Sequence, residues 1–165
     1  MYVRLTTEGL DMQITTLVYL IGDDHLYLAT KKKGPGMGLY NGYEGEHHNG
    51  SETISRDTWR EFDKTSGVKV LPKHLNKFAV IDFFECNEHI FECHVFFIEQ
   101  WSGQPRETDE MALPDKFSKV QLPIEKMWKA NSRFLPLIIS GKKIVGEARY
   151  DKGMRELLSF THFSM

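Results

Sequence analysis

The chain has 165 residues, of which 41% are hydrophobic, 27% charged and 12% aromatic. A chain of that length buries roughly 70% of the surface its unfolded form exposes, so it needs no disulfide or metal staple, and its apolar content excludes a disordered chain. The formal charge of −2 offers no basic face for duplex nucleic acid held through its phosphates, and no apolar run approaches the roughly 20 residues of a membrane span.

In chain order, Met1-Tyr2-Val3-Arg4 opens without an apolar signal segment, so a cytoplasmic chain of one domain, 1–165, is expected. Residues 13–21 are β-branched and apolar and predict a central strand. Gly22-Asp23-Asp24 turns the chain, and His25 to Thr30 alternates as its expected hairpin partner. Lys31-Lys32-Lys33 reads as a solvated strand end before Gly34, Gly36 and Gly38. Ser51 is the expected N-cap of a first helix, with Ile54, Thr58 and Phe62 as its core stripe, Trp59 beside it and Gly67 as its stop. Val68-Lys69-Val70 restarts extended structure. Residues 78–85 and 91–100 predict a hairpin around 86–89. Cys86 and Cys93, the only cysteines, are too few for a disulfide framework and read as buried thiols. Residues 116–121 predict a short strand, a second helix is expected from Asn131 or Ser132 to Gly141, and Leu157 to Phe163 predicts a last strand. Pro136 fits only that helix's first turn or a kink. A mixed sheet flanked by two helices follows.

The stretch that carries chemistry is 42–68, a glycine-rich loop leading into a helix with Arg60-Glu61 and closed by Gly67-Val68. It resembles the Nudix box, G-x5-E-x7-R-E-U-x-E-E-x-G-U. Gly45 matches the first glycine and Glu52 the first glutamate, with six intervening residues instead of five. Arg60, Glu61 and Phe62 follow in register. Lys64 and Thr65 stand where the family has its paired glutamates. In such a box, carboxylates at i, i+3 and i+4 converge on one helix face and hold Mg²⁺ or Mn²⁺ through oxygen. The metal neutralises diphosphate charge and acidifies the attacking water.

Outside the box the chain is similar to the purine nucleoside triphosphatase branch of that family, through Lys31 to Gly34, Tyr40 to Tyr43, His94 to Phe96, Thr108 to Met111, Met127-Trp128 and Phe134 to Leu137. The resemblance implies the α+β Nudix fold, an α/β/α sandwich. It also implies roles. Asn41 and Asn131 would meet the base edge, Trp128 would stack on the base, Phe84 and Phe91 would line the pocket, and Lys31 would face phosphate. Glu61 and Glu110 would hold Mg²⁺ or Mn²⁺ beside Arg60, with Glu44, Glu46 or His47 standing in for missing ligands. The branch has aspartates where this chain has Ala130 and Asn131, so a different base preference is expected.

Two readings follow. The first is a metal-dependent hydrolase of a nucleoside triphosphate or related diphosphate derivative, purine-like, impaired by the loss of two glutamates. The second is a non-catalytic module that binds nucleotide or a partner. Either way the expected ligand is a small nucleotide, and the expected state a monomer or weak dimer.

Overall fold

In the computed structural model, residues 13–47 and 53–165 are described. The strands are β1 (Ile14–Leu20), β2 (His25–Thr30), β3 (Tyr40–Asn41), β4 (Tyr43–His47), β5 (Val68–Lys69), β6 (Leu75–Glu85), β7 (Glu88–Ile98), β8 (Ser102–Gly103), β9 (Asp115–Ser118), β10 (Ile144–Tyr150) and β11 (Leu157–Ser164). The α-helices are α1 (Ile54–Thr65) and α2 (Lys129–Ile139). The main sheet runs β11-β10-β6-β7-β1-β4. It is mixed: β7 is parallel to β1 and β10 to β6, and the other pairs are antiparallel.

Alternation along the central strands sets the layers. Leu17 and Tyr19 of β1, with Val95 and Phe97 of β7, pack in one cluster with Phe134, Leu135 and Ile138 of α2. Val18, Leu20, Phe96 and Ile98 point the other way and pack with Phe62 of α1, Val68 and Val70. The sheet therefore lies between two helices, the expected α+β sandwich.

Several elements differ from the sequence reading. β2 is not the hairpin partner of β1. An apolar strand buried on both faces is central, and the edges of β1 are taken by β4 and β7. β2 joins β3 and β9 in a separate sheet, and just beyond the end of β1 the chain turns into it through the bridge Ile21↔Leu26. The β6–β7 turn is only Cys86-Asn87, because pairing continues to Glu85↔Glu88. Cys86 sits there exposed with φ 53°, and only Cys93 is buried. Thr53, not Ser51, caps α1, its hydroxyl accepting from the Arg56 N–H at 3.2 Å. Ser51, Glu52 and His48 lie outside the described residues. α2 starts at Lys129, two residues early, and Pro136 lies inside it. The missing N–H there leaves the Ser132 carbonyl without its helical donor.

The C-terminus of α1 is closed by a distant loop. Arg106 donates from Nε to the Thr65 carbonyl at 3.1 Å and from Nη2 to the Lys64 carbonyl at 3.4 Å. A cation on these last carbonyls offsets the negative helix end. Gly67, at φ 87°, admits this loop, since a Cβ there would come 2.8 Å from the Gln104 carbonyl oxygen.

Candidate active site

A cavity of about 1090 Å³ opens between these elements. Its walls come from β1, the β2–β4 region, α1, β6, β7, the 108–111 turn and the start of α2. Asn41, Phe91, Trp128, Asn131, Lys31, Glu44, Arg60, Glu61 and Glu110 all line it. Residues separated by as many as 100 positions in the chain therefore meet at one concave site.

One end is a buried, largely uncharged floor. Asn41 and Asn131 are 6% and 5% exposed. The Asn41 carbonyl oxygen accepts from the Gly42 N–H at 2.9 Å, the Tyr19 hydroxyl at 2.9 Å and the Asn131 amide at 3.1 Å. A backbone N–H can only donate, so this contact fixes which way the Asn41 amide points. Its nitrogen then donates to Glu44 Oε2 at 3.1 Å, and Lys31 Nζ donates to Glu44 Oε1 at 2.9 Å. Burial pushes the Tyr19 phenol well above its ordinary value and the Cys93 thiol up to about 12, so Tyr19 stays a donor and Cys93 a neutral thiol at neutral pH. Phe83 and Phe91 stack at 4.5 Å, with their planes 15° apart.

Three expectations are corrected here. Phe84 does not line the cavity; Phe83 does. Phe84 faces the opposite side of β6, with the Arg149 guanidinium 4.0 Å over its ring. Lys31 is not a solvated strand end, since it is 7% exposed and ion-paired to Glu44. Glu44 is not turned toward α1. It pairs in register with Leu17, whereas its neighbours Tyr43 and Gly45 pair with Val18 and Thr16, the positions that face α1.

The other end is acidic and partly open. Asp57, a residue the motif did not single out, is 8% exposed. His47 Nδ1 donates to its Oδ2 at 2.9 Å, and Arg60 Nη2 to its Oδ1. Arg60 Nη1 also donates to Glu61 Oε1 at 2.6 Å. The i,i+3 spacing of Asp57 and Arg60 was the signal available for this pair. Glu61 is half exposed, and its second oxygen has no partner among the described residues. Across the cavity the Thr108 hydroxyl accepts from the N–H groups of Glu110 (3.3 Å) and Met111 (3.0 Å). The Lys32 N–H donates to the Glu110 carbonyl at 2.7 Å. These bonds hold the turn that carries Asp109 and Glu110.

The donors at this end are hard oxygens, suited to Mg²⁺ or Mn²⁺. Among the described residues no three His, Cys, Asp or Glu side chains gather closely enough to hold an ion by themselves. Asp57 and Glu44 already give both oxygens to other side chains. The arrangement fits an ion bound through one or two carboxylates and completed by substrate phosphate and water, the usual habit of Mg²⁺.

The chain is 31% identical over 139 residues to an oxidized purine nucleoside triphosphate hydrolase of Danio rerio, covering 84% of this chain and 86% of that protein. It is 32% identical over 139 residues to the protein of the same name from Mus musculus, with the same coverage. The chain belongs to the Nudix hydrolase family. No family model matches it. The Nudix fold is seen directly in the likeness to the MutT protein of Bacillus halodurans, with a TM-score of 0.75, 18% identity, and coverage of 92% of this chain and 97% of that one. In this fold α1 puts Arg60 and Glu61 on the cavity wall.

Proposed function

We propose that this Nudix domain hydrolyses the phosphoanhydride of a purine nucleoside triphosphate or related diphosphate derivative, and turns it over slowly. The observation that carries this reading is one cavity with the buried amides of Asn41 and Asn131 and the Trp128 ring at one end, and Arg60, Glu61 and Glu110 at the other. The base stacks on Trp128 and meets Asn41 and Asn131 at its edge, which places the phosphates toward α1. Six acidic side chains (Glu44, Glu46, Asp57, Glu61, Asp109 and Glu110) line the cavity against three basic ones (Lys31, Lys33 and Arg60). A bare triphosphate meets net repulsion there.

Glu61 and Glu110 would hold Mg²⁺ or Mn²⁺, which when bound neutralises phosphate charge and acidifies water. The chain's own groups do the rest. Arg60 fixes the Glu61 carboxylate through one oxygen and leaves the second open to the ion, and the Glu110 carboxylate accepts the proton of the attacking water. Attack at phosphorus breaks one P–O–P link and releases a nucleoside monophosphate and pyrophosphate, or a second phosphate product. Lys64 and Thr65, in place of two carboxylates, make the step slow. Pyrophosphate release should be measured over normal and oxidised purine nucleotides with Mg²⁺ and Mn²⁺. Turnover no greater than that of Glu61→Ala would sink the proposal.

Lys64, Thr65 and the committed oxygens of Asp57 favour a second reading, a nucleotide-binding module without turnover. Thermal stabilisation by nucleotide in the absence of divalent metal separates it from the first. A ligand at 100 times its Kd adds about 2.7 kcal/mol of stability.

A further inference from the structure

The glycine-rich turn between β2 and β3 has no part in the mechanism above. It is nonetheless closely built. Met37 N–H donates to the Gly34 carbonyl at 3.1 Å, Leu39 N–H to Gly36 at 2.9 Å, and Gly38 N–H to Lys31 at 2.8 Å. Gly36 and Gly38 have nearly the same positive φ, 84° and 86°, which disfavours a side chain at both. Their surroundings differ. A Cβ on Gly38 would meet nothing within 4 Å, whereas a Cβ on Gly36 would lie 2.2 Å from Trp128 Nε1 and 3.2 Å from its Cδ1 and Cε2. The Gly36 backbone is therefore seated against the pyrrole edge of the indole.

Elsewhere Trp128 is held by the Tyr150 ring, edge-on at 5.7 Å and 80°. The Tyr150 hydroxyl accepts from the Ala130 N–H at 3.0 Å. Trp128 and Pro35 line both the main cavity and a second one of about 650 Å³. The indole is thus a partition with open space on two sides, and a displaced ring has somewhere to go. A ring enclosed on all sides would resist displacement through all its neighbours; this one is partly buried against the core and open to a cavity on two sides, so the groups at its edge count for more.

We infer that Gly36 is a positioning residue for the base: its missing side chain seats the Trp128 ring where a purine can stack on it. This rests on the reading of Trp128 as the stacking platform. Gly38 supplies the control, because G38A has the same backbone strain without the indole contact. The probe is whichever of 8-oxo-dGTP, ATP and GTP binds the native chain most tightly by calorimetry with Mg²⁺. G36A should weaken it at least about fivefold, the lower end of what a base–aromatic stack contributes, and G38A less than twofold. The Trp128 indole N–H resonance, assigned by its loss in Trp128→Phe, should move in G36A and stay in G38A. Adding G36A to Trp128→Phe should cost no further affinity. Equal losses in G36A and G38A, or an unmoved resonance in G36A, would overturn the inference while leaving the function standing. No binding of any of the three to the native chain would overturn both.

Discussion

The two ends of the cavity are built differently. At the base end the polar groups are buried and committed. Lys31 is 7% exposed against Glu44 at 26%, and Tyr19, Asn41 and Asn131 form a connected network around them. At the α1 end Arg60 and Glu61 are 46% and 50% exposed, and Arg60 divides its guanidinium between Glu61 and the buried Asp57. The first end belongs to the fold, so its ligand meets a surface made in advance. The second is half exposed, so its ion pairs can exchange partners when a charged group arrives, and Thr65 of α1 also lines it. Burial thus ties the first set of side chains to the fold, while the second set can change at little cost in stability.

The sharpest way to break that contrast is to remove one charge from each end. Lys31→Met leaves Glu44 partly buried without its cation and should cost about 3 kcal/mol in urea unfolding. Lys31→Met with Glu44→Gln should recover most of it. Glu61→Gln removes an exposed partner and should stay within about 0.5 kcal/mol of the native chain. Equal costs at the two ends would remove the distinction. Next in size is repair of the open end. Lys64→Glu with Thr65→Glu should raise pyrophosphate release on the order of a hundredfold, the rate equivalent of about 3 kcal/mol. An unchanged rate would mean that the missing acids are not what limits turnover.

The same contrast explains what could be read in the sequence. The apolar pattern of 13–21 and 91–98 and the stripe Ile54, Thr58, Phe62 are local signals, and the strands and helix they imply are present. The base-end network is not local. Tyr19 reaches Asn41 across 22 positions and Asn131 reaches it across 90. Resemblance supplied the two asparagines, and nothing in the pattern supplied Tyr19. Phe83 and not Phe84 lines the cavity because strand parity decides which ring faces inward. Along β6 the buried side chains alternate regularly, Ala79, Ile81 and Phe83, but Val80 and Phe84 make the other face apolar as well, so the hydrophobic pattern alone does not say which ring meets the cavity. Nothing local separates Lys31 from Lys32 and Lys33, because its partner Glu44 lies on another strand.

A smaller effect tests the neutrality of the base end. Asn131→Asp replaces the amide that donates to the Asn41 carbonyl oxygen with a carboxylate facing an acceptor. Burial and the lost donor both favour the protonated acid, so its folded value should lie above the unfolded one. A group raised in this way keeps its stability at low pH and loses it as pH rises through the folded value. The variant should sit near native stability at about pH 4 and fall about 2 kcal/mol below it by pH 8. Its nucleotide affinity should become pH-dependent where that of the native chain is flat. A constant difference across pH would show that the amide nitrogen is not the donor the floor requires.

The smallest effect lies on the α1 side of the sheet, at His94 of β7. Its Nε2 is 2.6 Å from Glu92 Oε1, and its Nδ1 is buried without a hydrogen-bond partner among the described residues. Burial lowers its pKa from the ordinary 6.5; Lys77 and His47 lower it further, and Glu92 opposes them. The folded value is therefore below the unfolded one, so the unfolded chain takes up the proton first. The contribution is complete above about pH 6.5 and is lost as pH falls through the folded value. Other histidines also face carboxylates, His89 beside Asp82 and His47 beside Asp57, so native stability alone does not isolate His94. The measure is the difference in urea midpoint between the native chain and His94→Gln at pH 8 and pH 5. The native chain should lose more over that interval than the variant. An identical loss in both would show that burial of the His94 ring adds nothing to the acid sensitivity of the fold.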